Sequence, residues 1–455
     1  MSTRSLIILG ATGDLTKRLL LPALDDVLAQ RESADVDTEL ELIGAGHSDE
    51  GAAQWNEMVA STLGDGPLRE QTREGARFDT VDATSADDLR RVIESASHTP
   101  IVYFALPPAI TEKAVEALAS IELPEGTRLA IEKPFARDLD SAVALNERLA
   151  ALAPESCIHR VDHFLGKSTV INLLGLRFAN RIFEAVWSSE HIARIEIVYD
   201  ETLALEGRAG YYDQAGALVD MIQSHLLLVH ALVVMEKPAT LDSGDLHDAM
   251  ADALAATALQ QGDASTSSRR ARYTAGSIDG ADVPDYVDEP GVDAARETET
   301  LAEVTVTVDT PRWKGVPITL RSGKAIGRPS TEVRIVLRPV EGRPEALVGD
   351  TEPATISISL SPEHLSVDLD INGEGDPFDL ERVTLETDFG GGQLSAYGEV
   401  LAGILDGDDT LSVRGDLAEQ CWRIVDEVLA LWRAGEVPLE DYEAGTHGPE
   451  HWRTA

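Results

Sequence analysis

Between residues 5 and 160, short apolar runs alternate with stretches whose apolar positions recur every three or four residues. The runs "SLIIL" (5–9), "LELIGA" (40–45), "PIVYFAL" (100–106) and "RLAIEK" (128–133) are too short for helices and predict buried strands. The stretches "DLTKRLLLPALDDVLAQ" (14–30), "AITEKAVEALAS" (109–120) and "LDSAVALNERLAAL" (139–152) carry helical spacing. Alternation of this kind predicts a parallel sheet with helices on both faces, the doubly wound α/β arrangement. A further run, "SCIHRVDHF" (156–164), predicts another strand, and the charged stretch "RVDHFLGK" (160–167) falls at its carboxyl end. Ligands of open α/β sheets bind beyond the carboxyl ends of the strands, so this edge is the first place to look for chemistry.

From about residue 190 the rhythm changes. "HIARIEIVYD" (191–200) alternates like a half-buried strand, and "GALVDMIQSHLLLVHALVVM" (216–235) is long, apolar and helical. Residues 261–299, rich in Gly, Asp, Ser and Arg, predict an irregular connection. Alternating segments then follow without helices between them: "LAEVTVTVDT", "GVPITLRSG", "EVRIVLRPV", "ATISISL", "LSVDLDI" and "RVTLETDF", the last covering 382–389. That texture predicts a broad, mainly antiparallel sheet. Helices around 394–405 and 417–435 close the chain. The expected architecture is a Rossmann-like α/β domain over 1–160 followed by a larger α+β domain over 161–455, a size that one ordinary core does not fill.

Charge narrows the partners. With 80 acidic against 38 basic residues the formal net charge is −42, a field that repels nucleic acid and anionic membranes. A lysine-poor acidic surface suits concentrated salt, and arginine-biased codon usage depletes lysine equally well. The lysines are Lys17, Lys113, Lys133, Lys167, Lys237, Lys314 and Lys324. An anionic ligand would have to sit where these are, because local positive charge must overcome the global field. Cys157 and Cys421 are too few for a disulfide framework or a cysteine-rich metal site. The start "MSTRSLIILGATGDL" lacks a cleavable signal pattern and no run of eighteen apolar residues occurs, so a soluble cytoplasmic protein is expected.

Each candidate motif has an ordinary reading beside the chemical one. "LIILGATGDL" sets Gly10 and Gly13 at a strand-to-helix turn, where a backbone can approach a pyrophosphate, although Thr16 breaks the GxGxxG spacing and a plain tight turn would look the same. "AIEKPF" ends a strand in Glu132, Lys133 and Pro134, which also describes a surface lysine before a turn. "RVDHFLGK" offers His163 and Lys167 to a phosphate and Asp162 as an orienting carboxylate, or else a solvated charged loop. His225, inside the apolar helical stretch, is an ordinary core histidine unless a carboxylate fixes its tautomer, in which case it can act as a general base.

Taken together in order, "GATGDLTKR", "ALPP", "EKPFARDLDSA", "RVDHFLGK", "RFANRIFEAVW", "EGRAGYYDQAGALVDMIQSH", "PRWKGVPITLRSGKAI" and "CWRIVDEVLALW" resemble the glucose-6-phosphate dehydrogenase family over nearly the whole chain. The resemblance implies oxidation of C1 of glucose 6-phosphate to 6-phosphogluconolactone, with hydride passed to NADP or NAD, and no metal. It implies His225 as the general base with Asp162 holding its imidazole. His163 and Lys167 would bind the 6-phosphate, and Lys133, Glu201, Asp213 and Lys324 the sugar. Gly10, Thr12, Gly13, Asp14, Leu15, His47 and Lys133 would line the coenzyme site, and the second sheet would form a homodimer or dimer of dimers.

The departures from the family pattern bear on specificity. Phe164 stands where the family commonly has Tyr, Leu19 where it has Lys, and Val219 and Ser224 where it has Arg and Asn. His47 follows the second strand where an arginine usually grips the 2′-phosphate of NADP, and a neutral histidine holds an anion less firmly than a guanidinium. The other readings compatible with these residues are a relative acting on another sugar and a ligand-binding protein that has lost turnover.

Overall fold

Strands covered on both faces need uninterrupted apolar runs, and the centre of the first sheet is made of them. The computed structural model of the chain describes residues 2–452 apart from 37, 49, 208, 263, 350 and 389. β1 (Ser2–Leu9), β2 (Thr38–Gly46), β3 (Arg77–Thr80), β4 (Thr99–Phe104), β5 (Arg128–Glu132) and β6 (Ile158–Val161) pair in the order β3-β2-β1-β4-β5-β6, every pair parallel. Leu6 to Leu9 of the central β1 are completely buried. The order reverses between β1 and β4, which opens a crevice at their carboxyl ends. β3 has no counterpart in the apolar pattern. Its "RFDT" carries one apolar side chain, enough for an edge strand that pairs only with β2.

The chain divides into two compact units, the first comprising residues up to Lys167 together with Pro238–Asp248 and Gly392–Glu419. Helices join a unit by their apolar faces and not by their place in sequence. The helix Ala396–Asp406 contributes Val400, Leu401, Ile404 and Leu405 to one core with Leu21, Leu24, Val27 and Leu28 of the helix Leu21–Ser33. Arg128 of β5 donates to the carbonyls of Ile404 and Leu405 at 2.8 Å. A guanidinium there satisfies carbonyls that the helix end leaves unpaired.

The second unit holds a ten-stranded sheet. Its strands are β7 (Ile192–Asp200), β8 (Thr257–Leu259), β9 (Ser268–Thr274), β12 (Leu301–Val308), β13 (Ile318–Gly323), β14 (Ser330–Leu337), β15 (Thr355–Leu360), β16 (Glu363–Asn372), β17 (Leu380–Asp388) and β18 (Leu439–Glu443). A separate hairpin is made by β10 (Gly276–Ile278) and β11 (Ala281–Val283). The order is β17-β16-β15-β14-β7-β13-β12-β9-β18, with β8 also on β12, and all pairs are antiparallel except β7–β13 and β9–β18. The strand expected over 382–389 ends at Asp388; residue 389 lies outside the described residues.

β9 overturns the expected irregular connection. Its "SRRARYT" reads as polar, yet Arg270 is buried and donates to the carbonyls of Val437 and Trp432, so its stem packs as an apolar side chain would. The helical stretch Ala209–Val234 is long and apolar enough to cross a membrane, but most of it is buried within the protein.

Candidate active site

The turn after β1 is shaped for close approach to its backbone. Gly10 has φ +82°, and a Cβ there would fall 2.2 Å from the carbonyl oxygen of Ala105 beyond β4. The amides of Gly10 and Ala11 donate to Ala45 of β2 at 2.9 and 3.1 Å, and that of Gly13 to Gly10 at 2.9 Å. Thr16 donates its hydroxyl to the Gly10 carbonyl at 3.3 Å and begins the helical segment. Thr12 is half-buried here and its carbonyl accepts from Gln54, while Asp14 pairs with Arg18 on the surface and Leu15 packs against the core. A turn of this kind leading into a helix start fits a pyrophosphate. His47 stands exposed just beyond β2. Near it Asp82 is held below the usual carboxylate range by the amide and hydroxyl of Thr84, and further by His47.

The carboxyl ends of β5 and β6 carry the charged cluster. After Val161 the chain makes consecutive turns, with Leu165, Gly166 and Lys167 donating to the carbonyls of Asp162, His163 and Phe164. Asp162 accepts the Phe164 amide at 2.8 Å, which holds the turn together. Gly166 allows the turn to sit on the helix Ala396–Asp406, since a Cβ would fall 2.2 Å from the Ala396 carbonyl. The Lys167 ammonium lies 3.9 Å from the centre of the Phe164 ring, and the His163 ring stacks on Tyr397 at 5.2 Å and 15°. Burial pushes the Asp162 carboxyl up to about 6 against the pull of His163, Lys133, the Phe164 amide and Lys167. Glu132 is pushed by burial to about 7, although Tyr103, Lys133 and Tyr397 pull the other way. The Lys133–Pro134 bond is cis.

In the second unit the parallel pairing of β7 with β13 aligns their carboxyl ends, with Asp200 opposite Gly323. Glu201 and Lys324 follow directly and form a 2.8 Å ion pair, both largely shielded from solvent. Lys324 also lies 5.1 Å over the Tyr212 ring. His225 is completely buried in a π-helical segment, Leu218–Leu226. Such wide turns recur at functional sites. The segment enters through Gly216 at φ +65°, where a Cβ would strike the Glu299 carboxylate that accepts the Leu218 amide.

One expected site residue is employed elsewhere. Both carboxylate oxygens of Asp213 are occupied, one by the Tyr286 hydroxyl and the other by the Asp293 amide and Arg296, each at 3.0 Å. It anchors the segment 286–298 and is almost completely buried. Asp220, half-buried, lies five residues before His225 in the same π-helical segment, the spacing of its i→i+5 backbone bonds. The helical spacing assumed from sequence, 3.6 residues per turn, conceals that relation.

Comparison with known proteins agrees with the geometry. Residues 7–172 match the family model "Glucose-6-phosphate dehydrogenase, NAD binding domain", and residues 174–455 match "Glucose-6-phosphate dehydrogenase, C-terminal domain". The chain belongs to the glucose-6-phosphate dehydrogenase family. Glucose-6-phosphate 1-dehydrogenase of Gluconobacter oxydans is 36% identical over 98% of this chain and 94% of its own length. The Treponema pallidum enzyme is 35% identical over 98% and 92%. The crystal structure of the Mycobacterium avium glucose-6-phosphate 1-dehydrogenase aligns with TM-score 0.84 at 32% identity, covering 98% of this chain and 95% of that one. A glucose-6-phosphate dehydrogenase solved with glucose-6-phosphate aligns equally well at 28% identity. The doubly wound first domain and the mainly antiparallel second sheet expected from sequence are thus those of the glucose-6-phosphate dehydrogenase family.

Proposed function

We propose that the protein oxidises C1 of glucose 6-phosphate to 6-phosphogluconolactone. The observation that supports this most directly is the single turn presenting Asp162, His163 and Lys167 at the carboxyl end of β6, in a chain that matches the family end to end. His163 and Lys167 take the 6-phosphate, where bonds between charged partners are strongest. Lys133, Glu201, Lys324 and, in place of Asp213, Asp220 take sugar oxygens. His225 removes the C1 hydroxyl proton as hydride leaves the same carbon, and Asp162 steadies the imidazolium formed. NADP or NAD, bound over the Gly10–Gly13 turn, supplies the hydride acceptor. Initial rates of nicotinamide reduction with glucose 6-phosphate and each coenzyme test the reading, and silence with both sinks it.

Two residues set the specificity within this reading. His47→Arg is expected to raise the NADP-to-NAD ratio of kcat/KM by about tenfold or more, the scale of one bond to a charged group. An unchanged ratio would place the 2′-position elsewhere. Phe164→Leu, which removes the ring beneath Lys167, should raise the KM for glucose 6-phosphate by about threefold, as expected for a lost cation–π contact. A flat KM would show that Lys167 needs no such seat.

A homodimer or dimer of dimers built on the second sheet fits its far end, where Ile371, Phe378 and Leu385 are exposed on or beside β16 and β17. Light scattering on the purified chain decides it.

A further inference from the structure

Glu132 and Tyr397 have no role in the chemistry above, yet they are built with care into its edge. The helix Ala396–Asp406 is pinned to β5 at two points. Arg128, at the start of the strand, takes the carbonyls at the helix end, and Glu132, at the end of the strand, takes the hydroxyl of Tyr397 at the helix start, at 3.4 Å. The spans match. Four strand residues cover about 13 Å, and the eight helical steps from 397 to 405 cover about 12 Å.

Glu132 also accepts the hydroxyl of Tyr103 from β4, so each of its oxygens receives one tyrosine. A carboxyl group offers an oxygen to each of the two hydroxyls, whereas an amide has only one acceptor oxygen. The groups facing it are Tyr103 from β4, Lys133 from its own strand, Tyr397 from the helix and Asp162 from the turn after β6. On its other side Tyr397 stacks flat on His163, whose ring also meets Phe164 edge-on at 5.2 Å. The orientation of the His163 ring is therefore set by two aromatic neighbours, and one of them is tethered by Glu132.

We infer that Glu132 and Tyr397 are positioning residues for the phosphate end of the site: Glu132 fixes Tyr397, and Tyr397 fixes the imidazole of His163. The inference rests on the reading of His163 as a ligand of the 6-phosphate.

Tyr397→Phe keeps the stacked ring and removes the tether, and Glu132→Gln keeps the shape and removes one acceptor. Each is expected to raise the KM for glucose 6-phosphate by about three- to tenfold, the range of one hydrogen bond. The kcat and the KM for the coenzyme should stay within about twofold. Competitive inhibition by inorganic phosphate should weaken by the same factor as the KM rises, because phosphate carries no sugar. The double variant should be no worse than the poorer single one, since both changes break one tether. Unchanged KM in both variants, multiplying effects in the double variant, or equal losses in kcat overturn the inference while the wild type still turns over. No turnover of glucose 6-phosphate by the wild type overturns the underlying reading, and the inference with it.

Discussion

His225→Asn is expected to lower kcat with glucose 6-phosphate by about 10²- to 10⁴-fold, the usual cost of losing a positioned base. Hydride cannot leave C1 as an isolated event, because the oxygen must shed its proton for the carbonyl to form. Without the imidazole that proton has only water to go to. The buried setting of His225 sharpens the expectation. Asparagine is chosen over alanine because removing a completely buried ring leaves a cavity, and the instability that follows would obscure the kinetic effect. KM should change much less than kcat, since the 6-phosphate contacts assigned to His163 and Lys167 remain. A binding isotherm for glucose 6-phosphate with the variant separates the cases. Binding retained with turnover lost is the expected result. Turnover within about tenfold of wild type would remove His225 from the role of base and leave its burial as ordinary core packing.

The parts of this protein visible in sequence are those where local pattern and tertiary demand coincide. β1, β4 and β5 carry buried apolar runs because both faces are covered, and β1 and β5 end at glycine, acid or lysine because the carboxyl edge is where ligands are met. β3 and β9 are not legible, for opposite reasons. The first is short and at an edge, and the second buries an arginine that reads as solvent-facing. The assignment of 392–419 to the first unit depends on which apolar face the helix Ala396–Asp406 meets, and spacing says nothing of that. Among the site residues, the turn Asp162–Lys167 is local and could be read directly. Asp213 and Asp220 are both acids in one apolar helical stretch, and spacing alone does not show that Asp213 is held by Tyr286, Asp293 and Arg296. Glu132 was seen as part of a motif, but the hydroxyls that meet it come from Tyr103 and Tyr397, far apart in sequence.

Glu132→Gln is also expected to change how stability depends on pH. Burial raises Glu132 from 4.5 to about 7, so between those values the native protein holds a proton that the unfolded chain has released. The stability tied to that proton is complete below pH 4.5 and is lost as pH rises through 7, an amount of about 3 kcal/mol. The variant cannot titrate there. From pH 5 to pH 8 it should therefore gain about 2 to 3 kcal/mol relative to wild type. Asp162→Asn should show the same sign and a smaller gain, about 1.5 kcal/mol, because its window of 3.8 to about 6 is already half crossed at pH 5. Asp82 and Asp88 are held low by the amides of Thr84 and Asp82 and act in the opposite sense at lower pH, but they are common to all three proteins and cancel. Urea midpoints measured at pH 5 and pH 8 give the differences directly. Parallel pH curves for wild type and variants would mean that neither carboxylate is buried as the structure has it. The expected divergence would show that the native protein bears a charge cost at neutral pH in two groups. One is the acid assigned to the base and the other the acid that holds Tyr397, so for these two groups the cost falls where the site is organised; Glu299, raised likewise by burial to about 7, is common to all three proteins and cancels.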